Sequence, residues 1–202
     1  MGQAVPDAML ATRIRYTFAD LLEQAPGDYN IYDIFGGDLV VWTTPVEPHA
    51  AVVMEFLDLL MEAQRAGYGW VRTAPRAVAF DYGEHGVLAQ DVTHPDVFFV
   101  REERRSIMGY RCVEAAPDLV IEVLSPSTRA DDLPGGRKFA IYERYGVRSY
   151  WIADLDARII TQYEWRDGRY GQGIVLRTGD MLASPLFPNL TRPVADIFAG
   201  IL

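Results

Sequence analysis

The chain is poor in the features that would place it outside the cell or in a membrane. Its 202 residues hold one cysteine, Cys112, so no intramolecular disulfide can form, and no Cys/His spacing suggests zinc. Apolar runs such as Val97 to Val100 fall far short of a bilayer span. The opening MGQAVPDAMLATRIRY never gathers the apolar stretch of an export signal. The expectation is a soluble, cytoplasmic protein. Internal repeats, low-complexity tracts and Gly/Ser linkers are also missing, which points to a single domain over 1–202 with its core at about 14–198.

Positive charge is scarce as well. Lys plus Arg number 19 against 28 Asp plus Glu, a formal net charge of −9. That balance argues against broad adhesion to nucleic acid, which draws its affinity from phosphate neutralisation. A surplus of carboxylates is instead what a divalent-cation site uses. Lysine is the rarest strong cation: 18 of the 19 are arginine, and Lys138 stands alone. What the chain does have is an ordinary apolar half, enough for a folded core.

The apolar pattern predicts a short helix from Thr17 to Gln24, capped by Thr17 and stopped at Pro26-Gly27. YNIYDIFGGDLVVW predicts a hairpin about Gly36-Gly37. From Pro48 to about Ala66, Val53, Phe56, Leu57 and Leu60 recur at helical spacing, and Gly67 ends that helix. WVRTAPRAVAF and VLAQDVTHPDVFFV read as strands on either side of a turn at Asp81 to Gly86, the second interrupted before Pro95-Asp96. An arginine-rich loop from Arg101 to Arg111 leads to PDLVIEVLSPST, apolar on both parities as a central strand should be. A helix from about Arg137 to Tyr145 follows, then the strand RSYWIADLD and a hairpin turning at Asp167-Gly168. The Pro-rich tail from Ser184 should pack as a short strand and a helical turn. The order implies an α/β (α+β) fold with a mixed central sheet flanked by helices and hairpin extensions.

Three residues stand out against that scaffold. Glu122 interrupts an otherwise apolar strand, and a buried carboxylate costs several kcal/mol unless a cation, a metal or hydrogen bonds compensate it. Asp118 has the same parity but follows Pro117, so it reads as the cap of the strand. Asp96 follows Pro95 at the head of VFFV, where it is either turn chemistry or a functional acid. Lys138 shares a helix face with Ile141, Tyr142 and Tyr145, which turns it toward the sheet. An ammonium is a compact point charge and is not interchangeable with a guanidinium. Two acids on neighbouring strands with one lysine make a site for a divalent cation assisted by an ammonium.

Those residues, with YDIFGGDLVV, a helix beginning at Pro48-His49, PDLVIEVLSPST and RKFAIYERYGVRSYWIAD, resemble the restriction-endonuclease-like superfamily named for its PD-(D/E)XK motif. More narrowly the chain is similar to its Uma branch of bacterial endonuclease-like proteins, a domain of unknown function. The likeness runs from about residue 14 to 198. It implies that Asp96 is the motif aspartate and Glu122 the acid of the ExK triplet, both binding metal. The third triplet position is Leu124, so the catalytic lysine has to come from the next helix, where Lys138 is the sole candidate. Asp33 stands where the branch has glutamate and either adds a carboxylate or serves the hairpin. His49 matches a histidine of the branch and is either a site residue or a buried structural one.

Ser125 and Ser127 lack a nucleophile elbow and a base at plausible spacing, and DLPGGRK lacks the spacing of a P-loop. Arg129 and Arg137, with Arg144, Arg148, Arg101, Arg104 and Arg105, form either a phosphate-contacting rim or solvated faces paired with acids. The expected function is Mg²⁺- or Mn²⁺-dependent hydrolysis of phosphodiester bonds, with DNA as substrate and a homodimer addressing two strands. A nuclease fold kept as a binding or assembly module without chemistry is the alternative, and hydrolysis of a smaller phosphoester ranks below both.

Overall fold

The computed structural model describes residues 14–23, 30–43 and 47–201. The chain begins with α1 (Phe18–Leu22), the hairpin β1 (Ile31–Phe35) and β2 (Asp38–Trp42), and the long α2 (Glu47–Arg65). Next come β3 (Gly69–Thr73), β4 (Val78–Ala79), α3 (Tyr82–His85), β5 (Val92–Thr93), β6 (Val97–Arg101) and β7 (Leu119–Val123). Helices α4 (Arg129–Asp132) and α5 (Arg137–Arg144) lead to β8 (Ser149–Asp154), β9 (Ile159–Arg166), β10 (Arg169–Tyr170) and β11 (Ile174–Leu176). The tail forms β12 (Met181–Ala183), β13 (Thr191–Pro193) and α6 (Val194–Ile197). Among the described residues, no helix is long and apolar enough to cross a membrane.

The central sheet runs β10-β9-β8-β7-β6-β3, with β11 also on β9. Only β7 and β8 are parallel within that order, joined by a crossover through α4 and α5. One face carries α2 and the C-terminal tail over Val97, Phe99, Ile121 and Val123. The other carries α5 and the β1–β2 hairpin over Phe98, Val120, Tyr150 and Ile152. Every residue of β7 and β8 is buried, because both faces are covered. A smaller sheet, β2-β1-β5-β4, holds the hairpin against the chain just before Asp96.

Several local devices follow from single residues. Asp20 accepts the Thr17 backbone N–H at 2.7 Å and its hydroxyl at 2.8 Å, which fixes the start of α1. That helix ends at Leu22, and the expected stop at Gln24 and Pro26-Gly27 lies outside the described residues. Gly36 and Gly37 turn the β1–β2 hairpin with φ of +53° and +84°, a left-handed pair that other residues resist. Gly136 begins α5 where its Cα passes against the Ala130 and Asp131 carbonyls, leaving no room for a side chain. On α2 the buried stripe is His49, Val52, Phe56, Leu59, Leu60 and Ala63, and Val53 and Leu57 lie only at its margin. The expected turn at Asp81 to Gly86 is instead a helical turn, and the strand expected from Trp70 to Phe80 breaks into β3 and β4 around Pro75, which has no N–H to donate.

Candidate active site

Asp96 and Glu122 come together through sheet register. In the antiparallel β6–β7 pair Val97 lies opposite Ile121, so one step further Asp96 lies opposite Glu122. The Asp96 Oδ2 accepts the Val123 N–H at 2.8 Å and lies 3.0 Å from His49 Nε2. His49 sits on the buried stripe of α2 at its first turn, so that helix delivers an imidazole onto the acid.

Lys138 reaches the same place from α5. It is 3 % exposed, and its Nζ lies 3.1 Å from Glu122 Oε2 and 3.4 Å from Asp132 Oδ1. One turn further along the helix, Tyr142 donates its hydroxyl to Glu122 Oε1 at 2.5 Å. Trp42 from β2 places its ring 5.7 Å from the ammonium. Asp33 is fully buried, accepts the Trp42 indole N–H at 2.7 Å and the His94 backbone N–H at 2.9 Å, and lies 3.1 Å from His94 Nδ1. It is therefore a buried acid of this cluster, set opposite Val40 in the ladder and away from the hairpin turn. Trp42, His49, His94, Asp96, Glu122 and Lys138 line a narrow space of about 20 Å³, enough for one water or one ion.

The cluster is short of positive charge. Four carboxylates, those of Asp132, Glu122, Asp33 and Asp96, act on the one ammonium. Burial disfavours the charge on Lys138, but those four carboxylates outweigh it and hold the amine protonated far above the usual lysine range. Burial pushes Glu122 well above the usual carboxylate range; Lys138 opposes this, and the charges of Asp132 and Asp96 reinforce it. Burial likewise raises Asp132, against the pull of Lys138. Asp33 goes the other way: burial would raise it, but the His94 hydrogen bond and the Lys138 charge hold it below its ordinary value. Burial, with the mutual repulsion of the acids, thus favours the protonated forms of Glu122 and Asp132 more than is usual for a carboxyl group.

Among the described residues, no three His, Cys, Asp or Glu side chains already converge as a cation cage. The charge deficit and the oxygen donors nevertheless suit a hard divalent cation. Both Asp132 oxygens are buried with no hydrogen-bond partner. Asp96 and Glu122 line the space from neighbouring strands and are the residues able to hold such an ion there.

Two arginines expected at a phosphate rim are tied to acids. Arg129 donates to Asp154 at 2.8 Å, and Arg137 makes a paired contact with Asp131 and lies over the Phe35 ring. Ser125 Oγ lies 3.0 Å from Ser127 Oγ and 3.1 Å from Thr128 Oγ1, the local bonding of a turn. Sequence reasoning missed Asp132, His94 and Tyr142. The signals were present: a double acid before the glycine start of α5, a histidine two residues from Asp96, and a tyrosine at i+4 from Lys138.

Comparison with known proteins bears on the same residues. The sequence profile of a family described as "Uma2: Putative restriction endonuclease" matches residues 18–195, which takes in every member of the cluster. No curated protein matches. Among solved structures, one from Anabaena variabilis ATCC 29413, described as "a putative nuclease belonging to DUF820", superposes with a TM-score of 0.72 at 16% identity. The match covers 93% of this chain and 99% of that one, a likeness of fold over nearly the whole length.

Proposed function

The chain belongs to the Uma2 family of restriction-endonuclease-like proteins, and from that premise we propose that it is a divalent-cation-dependent nuclease hydrolysing phosphodiester bonds in DNA. Asp96 and Glu122 hold the cation, Mg²⁺ or Mn²⁺, and Lys138 is the cationic assistant. The observation that carries this reading is the buried cluster in which four carboxylates share one ammonium beside a space of ion size. The fold likeness to a nuclease-described structure supports it.

When bound, the cation supplies Lewis acidity toward a phosphodiester oxygen and an attacking water. The chain's own groups do the rest. Lys138 stays charged, so it acts by donating hydrogen bonds to negative charge as it grows on the phosphoryl group, and cannot serve as the base. Tyr142 and Lys138 together fix the Glu122 carboxylate, one on each oxygen. His49 and the Val123 N–H fix Asp96 on one oxygen. Asp96 and Glu122 would have to be ionised to serve as ligands, so binding of the cation would depend on pH.

Plasmid cleavage tests the assignment directly. Wild type should cut in Mg²⁺ or Mn²⁺, and Asp96→Asn, Glu122→Gln and Lys138→Ala should not. Failure to cut DNA, or variants that cut as well as wild type, would overturn it. A homodimer would set two such sites on two strands, and light scattering of the purified chain reads that mass. The narrowness of the space favours one other reading, a nuclease-fold module that binds a partner without chemistry. That module would give no thermal-shift response to Mn²⁺.

A further inference from the structure

A second concave region lies at the opposite end of β6 and β7. Asp118 precedes Glu122 by four residues along the strand, so the two ends are roughly 13 Å apart at strand rise. There Arg101, Arg104, Arg144 and Arg148, with Tyr145 and Trp165, line a cavity of about 720 Å³. That volume is in the range of small-molecule sites.

Its charge arrangement is the reverse of the first. Asp118 is fully buried, and its Oδ2 is occupied by the Arg101 backbone N–H at 3.0 Å. Its Oδ1 makes no hydrogen bond, yet lies 3.0 Å from Arg104 Nη1 and 3.6 Å from Arg148 Nε. One buried carboxylate oxygen thus faces two guanidinium groups, Arg104 and Arg148, with its second oxygen taken by the Arg101 N–H. Arg104 is also anchored by donating to the Ala116 carbonyl at 2.8 Å. Arg144 and Arg101 are balanced by Asp91 and Glu103. Glu164 also lines the cavity, with its Oε1 accepting the Ser149 hydroxyl at 2.7 Å, and burial pushes its carboxyl above the ordinary value. Trp165 is locked in place by donating its indole N–H to the Glu143 carbonyl at 2.8 Å.

We propose that this cavity binds a phosphate monoester through Arg104 and Arg148, the guanidinium forks matching the phosphate oxygens. Two sources share that chemistry, a free mononucleotide and the phosphorylated end of a nucleic-acid strand. A cavity of this size admits either one. The site is separate from the one that holds Asp96 and Glu122, so it stands or falls independently of the nuclease reading.

Calorimetric titration of the full chain tests it, with inorganic phosphate, adenosine 5′-monophosphate and adenosine as probes. A second arm compares one short oligonucleotide with and without its 5′-phosphate. The phosphorylated probes should bind, adenosine should not, and affinity should fall with added salt. Arg148→Ala should weaken binding roughly tenfold, the loss of one charged hydrogen bond, with an unfolding temperature close to wild type. Glu122→Gln should bind as wild type does, which separates this cavity from the candidate active site. Binding of the phosphorylated oligonucleotide but not of the mononucleotide assigns the strand end as the source, and the converse assigns the free nucleotide. Absence of binding by every phosphorylated probe, or affinity unchanged in both Arg148→Ala and Arg104→Gln, overturns the proposal.

Discussion

Glu122 and Asp118 lie four residues apart around one strand and are equally buried, at 1 % and 0 % exposure, yet they keep opposite electrostatic company. Glu122 meets one ammonium that three other carboxylates also draw on. Asp118 meets two guanidinium groups and a backbone N–H. One end of β6 and β7 sets a single ammonium among four acids, and the other sets two guanidinium groups on one buried acid. Burial of an acid therefore says little about its role, and the sign of the local imbalance says more. That contrast is why a cation is proposed at the first end and an anion at the second.

The contrast can be broken most forcefully at Lys138. Replacement by Met leaves Glu122 and Asp132 buried without their cation, and breaking a buried pair in this way costs about 3–5 kcal/mol. Urea unfolding should show that loss together with loss of cleavage. A fully stable Lys138→Met would mean that the acids at this end are already neutral. Tyr142→Phe removes only the hydroxyl on Glu122 Oε1. Unfolding should register roughly 1.5–3 kcal/mol for a hydrogen bond to a charged group.

The pH dependence at this end has a definite sign. Glu122 and Asp132 are raised in the folded state, so the folded chain holds more protons than the unfolded one above the ordinary carboxylate range. Their contribution to stability is accordingly lost as pH rises from that range through the raised folded values. Glu122→Gln should flatten that decline in a series of unfolding curves, and a decline as steep as wild type would contradict the assignment. Asp33 is lowered and acts in the opposite sense, giving stability that disappears only as pH falls below its ordinary value. The smallest effect belongs to the other end. Arg148 is 55% exposed in its side chain and 3.6 Å from Asp118. Its replacement by Ala should therefore change stability by less than about 1 kcal/mol, measured by the same unfolding.

Much of this was legible in the sequence because periodicity and turn chemistry are local. The Gly36-Gly37 hairpin, the helix from Pro48, the strands at Val97 and Leu119, and the strand and helical turn of the tail follow from spacing alone. Lys138 is also found where its spacing puts it, on the buried face of α5 with Ile141 and Tyr142. What spacing could not show was company. Asp118 reads as a strand cap until Arg104 arrives from the Glu102–Ile107 segment, a 3-10 helix where a loop was expected, and Arg148 from the connection between α5 and β8. Asp131 and Asp132 are indistinguishable as neighbours in sequence, yet one pairs with the half-exposed Arg137 and the other faces the buried Lys138. The α2 stripe is centred on Val52 and Leu59, beside the expected Val53 and Leu57, because the sheet beneath it selects the line of closest packing.

The central claim, that the acid-rich end takes up a divalent cation, is tested most directly by titrating Mn²⁺ into the protein calorimetrically in two buffers of different ionisation enthalpy. Saturable binding with proton release, lost in Glu122→Gln and in Asp96→Asn, is the predicted result. Absence of binding to wild type, or binding that survives unchanged in both variants, would contradict it.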